Sequence, residues 1–222
     1  MSAKVRMPNL QFTVESAEAV QYAAAPLMAF KVRIVNDSRD QIIHTVALRA
    51  QIQIEASRRK YEATEQSRLS DLFGEPDRWG QTLRSMLWTH ASVVVPGFHG
   101  NTLADVLVPC TFDFNIAATK VFHGGTQGDL PLCFQFSGTV FYMREDETLQ
   151  VAPISWDKES KYRLPVKAWK DLMDVYYPSS AWLSLRKDTF EKLQQYKMRE
   201  GILTWDEALE RALNALPEAV RS

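Results

Sequence analysis

Asp71, Glu75, Asp77 and His90 are the side chains whose types and closeness in sequence could do chemistry. All four fall in RLSDLFGEPDRWGQTLRSMLWTH, residues 68–90. Carboxylates near a histidine can form an acid–base pair or part of a metal shell. The spacing argues for neither. His90 stands well past Asp77 with no second histidine two or four positions away, so no zinc pattern appears. Glu75 and Asp77 flank Pro76, a turn setting in which paired carboxylates are usually solvated. Ser85 and Ser92 lie near His90 without the G-x-S-x-G frame of a nucleophile elbow.

Other constellations are incomplete. HGG (123–125) resembles part of an oxyanion loop but has no nucleophile to serve. GGTQG (124–128) lacks the G-K-[ST] of a phosphate loop and runs into a strand pattern. Cys110 and Cys133 show no paired metal spacing, and the alternation around them puts them on opposite faces, too divergent for a disulfide. Arg58, Arg59 and Lys60 form a short basic run that reads as a solvated strand end. No catalytic, cofactor-binding or metal-binding residue is therefore assigned, and no cofactor is expected. An enzyme is less expected than a binding protein.

The totals agree. A net charge of −1 with 24% charged and 45% hydrophobic residues in 222 argues against nucleic acid or an anionic membrane as partner. Neither a leader's apolar stretch nor a membrane-length run is seen, and the unpaired cysteines suit a reduced compartment, so a cytoplasmic protein without membrane insertion is expected.

The elements that must position these residues alternate with period two. LQFTVES (10–16), PLMAFKVRIVND (26–37), QIIHTVALRAQIQIEA (41–56), ASVVVPGF (91–98), LADVLVPCTFDFNIAATKVF (103–122), LCFQFSGTVFYM (132–143) and EDETLQVAPISW (145–156) read as strands. Met28, Phe30, Val32 and Ile34 share one face; so do Ile42, Val46, Leu48, Ala50, Ile52 and Ile54, with His44 in the same register. Pro109 marks an edge or a bulge. In 64–89 a helix stops at Gly74 and another restarts at Pro76, with Trp79, Leu83, Met86 and Leu87 as its apolar stripe. WDKESKYR (156–163) reads as a charged corner. Three amphipathic helices follow in 164–178, 186–201 and 204–217, the last opened by a Thr204/Glu207 capping box, with Trp205, Leu209, Leu213 and Leu216 on its stripe. The expected fold class is α+β, mainly β: an antiparallel β-sandwich of about seven or eight strands. Its domain, 1–157, carries a helical insertion at 64–89, and a C-terminal helical segment, 158–222, packs on it.

RLSDLFGEPDRWGQTLRSMLWTH, CTFDFNIAATKVFH (110–123), LCFQFSGTVFY (132–142) and ISWDKESKYRLPVKAWKDLMDVYYP (154–178) together resemble a functionally uncharacterised bacterial family. The resemblance spans roughly residues 8–205. It implies gene clusters of nickel–iron hydrogenases as the setting, and an accessory, assembly or structural role beside that metalloenzyme. It carries no catalytic residue. Two cysteines cannot supply a four-cysteine nickel–iron or iron–sulfur site.

A non-catalytic protein that binds a partner protein, with hydrogenase subunits as the implied partner, is the leading expectation. Asp71, Glu75, Asp77, Arg78, Trp79, Trp88, His90, Trp169, Tyr177 and Trp182 are its candidate partner-binding or pocket residues, the aromatics as anchors or as core. One alternative is a ligand-binding protein or enzyme with a pocket near residues 71–99. Another is a self-assembling structural protein, with homo-oligomers through edge strands or the helical tail.

Overall fold

Met28, Phe30, Val32 and Ile34 alternate with Ala29, Lys31, Arg33 and Val35, and all four of the first set are buried to within 1%. Such alternation forces a pleated strand with one face on a core. The structure, a computed structural model, describes residues 7–38, 41–144, 146 and 148–215. Eight antiparallel strands form two sheets. The smaller orders β1 (Leu10–Ala19), β2 (Leu27–Asn36) and β5 (Asn101–Pro109) as β1-β2-β5. The larger orders β4 (Met86–His99), β3 (Ile42–Ile54) and β6 (Asp129–Met143) as β4-β3-β6. Along the far edge of β6 lie two strands in line: β7 (Leu149–Pro153) on residues 139–143, and β8 (Glu159–Pro165) on residues 129–135.

The sandwich core lies between the sheets, with Phe12 stacked on Phe136 (4.6 Å) and Phe30 edge-on to Phe134 (5.0 Å). One side of the sandwich turns its corner at Gly100, whose carbonyl accepts the Asn36 amide at 2.7 Å. Asn36 is itself buried and folds its side chain onto the Ser38 backbone in an Asx turn; residues 39 and 40, which follow, lie outside the described residues. The opposite side is the seam between β1 and β8, tied by the Val14 amide donating to the buried Ser160 Oγ at 3.0 Å.

Four local expectations are corrected. The helix restarted at Pro76 lasts only a 3₁₀ turn (Pro76–Arg78) and one α-turn, α2 (Trp79–Thr82); Met86 and Leu87 belong to β4. A bulge skips Trp88 in the β3–β4 register and turns it inward, while Leu87 of the expected stripe faces solvent. The strand expected to reach 122 ends at Pro109, and Asn115 opens α3 (Ile116–Gly124) by accepting the Ala118 amide at 3.0 Å. His44 is the extra residue of a second bulge, so it and Ile42 face solvent and Ile43 takes the core position. Residues 159–165, expected in the helical segment, form β8: Ser160 and Leu164 point inward between exposed Glu159, Lys161 and Arg163, an alternation hidden by charge.

Helices α1 (Ala63–Phe73), α3 and α4 (Val166–Tyr176) belong to this sandwich unit; α1 contacts α3, and α3 contacts α4. Two compact units divide after Ser180. The second holds α5 (Lys187–Arg199) and α6 (Trp205–Asn214), with Thr204 Oγ1 accepting the Glu207 amide at 3.2 Å and Phe190 tilted on Trp205 at 5.4 Å. Leu216 of the expected stripe lies outside the described residues. Among the described residues no helix is long and apolar enough to cross a membrane.

Gly138, in the middle of β6, has φ +135°, and a Cβ there would sit 2.0 Å from the Ala47 carbonyl oxygen. Any side chain must therefore displace the β3 backbone. Gly138→Ala is expected to lower unfolding free energy by roughly 3 kcal/mol or more; a urea midpoint indistinguishable from wild type would contradict the placement.

Candidate functional site

The groups that sequence places together make separate contacts. Asp71, on the exposed side of α1, is ion-paired with Lys120 of α3. Glu75, Asp77 and Arg78 occupy the exposed turn after Gly74, where the Arg78 amide donates to the Glu75 carbonyl at 2.9 Å. His90 stands on the outer face of the larger sheet with Nε2 3.1 Å from Gln51 Oε1. The depression beside them, about 520 Å³, is lined by Ser57, Trp79, Gly80, Leu83, Arg84 and Ser85, and by none of the four. Among the described residues no three His, Cys, Asp or Glu side chains are grouped to hold a metal ion.

Three of the aromatic candidates are core. Trp79 is buried, donates Nε1–H to the Gly74 carbonyl at 2.8 Å, and meets Tyr61 and Phe73 edge-on. Trp88 and Trp169 are buried on either side of Phe122, at 4.9 and 5.2 Å between ring centres. That file carries the sandwich core out to α3 and α4. Tyr177 is half-buried against Phe112, and Trp182, in the second unit, is exposed.

Beneath α1 lies a buried charge pair that the basic run did not announce. Arg59 Nη2 is 2.6 Å from Glu65 Oε1, with both side chains almost wholly enclosed. The same Glu65 carboxylate accepts the Thr126 amide (2.6 Å), the Thr126 hydroxyl (3.1 Å) and the Glu62 amide (3.1 Å). Burial by itself would raise its pKa; the amides of Thr126 and Glu62 and the Arg59 charge outweigh that and hold it below the ordinary carboxylate value. Beside them burial pushes the Tyr61 phenol to about 12. HGG is thereby explained: a Cβ on Gly124 would lie 2.7 Å from Leu69, and one on Gly125 2.9 Å from Arg59 Nη1. These glycines give room to a structural clamp. The legible sign of it was Glu62 and Glu65 at capping-box spacing ahead of an apolar helix.

The outer face of the larger sheet divides into two ends. At one end Gln51 Nε2 donates to Gln135 Oε1 at 3.0 Å, Gln53 Nε2 reaches the same oxygen at 3.3 Å, and Glu159 continues the row across β8. Next to this row Cys133 pairs in register with Lys161, which binds Glu55 at 2.9 Å. Burial raises the pKa of the Cys133 thiol, and burial raises that of Cys110 to about 12. Both cysteines are free and held in the unreactive thiol form at neutral pH.

At the other end the rows read Val94–Ala47–Thr139–Pro153 and Pro96–Thr45–Phe141–Val151 across four strands. Val94 is 70% and Val151 60% exposed, and Leu149 is half uncovered. Over the edge of β7 this apolar surface meets a groove of about 610 Å³, floored by Leu10, Val140, Ala152 and Ile154 and rimmed by Met7, Pro8 and Trp156. Trp156 is 92% exposed. No expectation from sequence included this groove. Its only legible signs were the short LQVAP strand and the solitary tryptophan after it.

The chain belongs to the family of unknown function DUF6084, whose pattern matches residues 7–220. No curated protein matches it. Two solved structures are similar in part. A late embryogenesis abundant (LEA)-type protein shares 14% identity over 72% of this chain and 73% of its own, with a TM-score of 0.32. An ApaA-type protein from Bordetella pertussis shares 13% identity over 71% of this chain and 93% of its own, with a TM-score of 0.20. Likeness at that level adds nothing to the reading of fold or site.

The clamp yields a signed prediction. Because the folded pKa of Glu65 lies below its ordinary 4.5, its contribution is present above that value and is lost as pH falls through the lower folded value. Glu65→Gln leaves Arg59 buried without a counter-charge and is expected to cost about 3–5 kcal/mol at neutral pH. Urea unfolding of both proteins should show the gap closing as pH drops below the carboxylate range; a gap independent of pH would contradict the assignment.

Proposed function

We propose that this member of the family is a non-catalytic accessory protein that binds another protein through the apolar end of its larger sheet. The observation that carries this reading is the strip of exposed Val94, Pro96, Leu149 and Val151 with half-buried Phe141 among them, continuous over β7 with the Trp156 groove. An apolar surface of that kind on an outer sheet face is stabilised by being covered, and it marks an interaction site more often than an inert one. The polar ladder of His90, Gln51, Gln135 and Glu159 would form the wet border of such an interface.

The partner we infer is a nickel–iron hydrogenase complex in a bacterial cell, with the chain assisting its assembly or maturation. The support is the resemblance of residues 68–90, 110–123, 132–142 and 154–178 to proteins of such gene clusters. The two free thiols suit a reducing cytoplasm. Self-assembly is the competing occupant of the strip, and solution mass separates the two.

The test is affinity purification of the tagged chain from a hydrogen-oxidising bacterium expressing its hydrogenase. Hydrogenase subunits are expected in stoichiometric yield, and Val94→Glu should cut that yield at least tenfold. Since Val94 is exposed, the substitution should change stability by no more than about 0.5 kcal/mol. Recovery of the tagged chain alone, or equal co-elution with Val94→Glu, would refute the proposal.

A further inference from the structure

We propose that the free edge of β7 captures an extended, uncharged segment of a partner protein as an added β-strand, whose alternate side chains fill the Trp156 groove. This rests on the protein-binding reading and names the chemistry of the partner.

Among the described residues the backbone of β7 is bonded on one side only. Ile154 donates to Gly138 at 2.9 Å and Arg144 donates to Thr148 at 3.0 Å, which fixes the phase of the β6–β7 ladder. Residues 148, 150, 152 and 154 therefore turn their amides and carbonyls toward β6. Leu149 and Val151 turn both groups outward, and Pro153 turns its carbonyl outward with no N–H to offer. Among the described residues β7 pairs with no strand besides β6. The edge thus presents two donors and three acceptors at strand spacing, the pattern that another extended backbone satisfies.

The seam supplies the second observation. Along β8 the gap between the sheets is closed: β1 lies against it, and the Val14 amide is held by Ser160 Oγ at 3.0 Å. Lys158 stands at the transition, its Nζ 2.8 Å from Asn9 Oδ1 and 3.3 Å from Gln11 Oε1. Beyond it, along β7, the gap opens into the groove, whose floor is formed by the buried core side chains Leu10, Val140 and Ala152. A strand beside β7 would set every second side chain over that floor, closing this half of the seam as β1 closes the other.

The occupant is a partner's segment rather than a second copy. In a symmetric β7–β7 pairing, the inward side chain of the second β7, Ala152, is already buried in its own core and cannot enter this groove. Five residues a side also fall far short of the roughly 20–30 that a stable interface uses. A loose peptide has both faces of its strand available. Its positions over the groove should be apolar, and its backbone needs an N–H opposite Leu149, Val151 and Pro153.

A displayed library of random nonapeptides panned on the full-length chain tests this. We expect enrichment of peptides with alternating apolar residues and no proline in the strand register. The leading synthetic peptide should shift the amide resonances of Leu149 and Val151, and should bind Val151→Pro and Trp156→Ala at least tenfold more weakly. Should Val151→Pro fail to fold, N-methylation of the peptide supplies the same test on the wild-type chain: binding should vanish when alternate residues of one parity are methylated and survive for the other. Failure to enrich any peptide, equal binding to Val151→Pro, or indifference to methylation would overturn strand addition. So would a wild-type dimer that Val151→Pro converts to monomer. Hydrogenase co-elution lost in Val94→Glu but kept in Val151→Pro would overturn it too, while leaving the protein-binding reading intact. Peptide capture at β7 without hydrogenase co-elution would support strand addition and remove hydrogenase as the partner.

Discussion

Everything in the larger sheet depends on the pairing of β6 with β3. The two strands pair from Ile43 opposite Tyr142 to Ile54 opposite Leu132, broken only by the bulge at His44, and Gly138 lets their backbones approach where no side chain would fit. A strand of fifteen residues is longer than any single neighbour on its far side. β6 consequently takes two partners, β7 and β8, divided by the chain between Pro153 and Glu159. That division breaks the sandwich margin into a closed half at β8 and an open half at β7. The groove is a consequence of strand length.

The helical cap has a different logic. α1 rests on few apolar contacts of its own, chiefly Leu69 and Phe73, and its N-terminal turn is fixed by Glu65 instead. One carboxylate ties Arg59 and Glu62, just ahead of it in the chain, to the distant Thr126, so the position of α1 is specified by directional bonds. Such a pair gives little net stability over an apolar replacement, yet losing one partner is costly. Its service is to fix orientation: with α1 placed, Trp79 can close on Tyr61 and Phe73, and α3 can present Phe122 to Trp88 and Trp169.

How much of this was legible in the sequence follows from where period and geometry agree. β2 and β6 were readable because nothing interrupts their alternation. β3 was readable except around His44, where one extra residue reverses parity and no side-chain type signals a bulge. The helix expected through Met86 and Leu87 failed for the same reason: Trp88 is turned inward by a register slip that only the partner strand reveals. β8 was hidden because its outward residues Glu159, Lys161 and Arg163 are charged. As for the site, Asp71, Glu75, Asp77 and His90 attracted notice by being near one another in the chain, but folding sends them to different surfaces. The groove joins Met7 to Trp156, and no local pattern reports a meeting across that separation.

The bond between Val14 and Ser160 ties residues 146 positions apart. For a chain emerging from the ribosome, β1 and β2 are available early, while the strand against which β1 must close arrives only after nearly all of the first unit has been made. Until then the inward face of β1, with Leu10, Phe12 and Val14, has no lid. Contacts so distant in sequence slow folding, because a large loop must be ordered before any of them is formed. The seam is thus the last part of the sandwich to be completed during synthesis, and the interval before it closes is when a nascent chain is most exposed to chaperones and to misassociation.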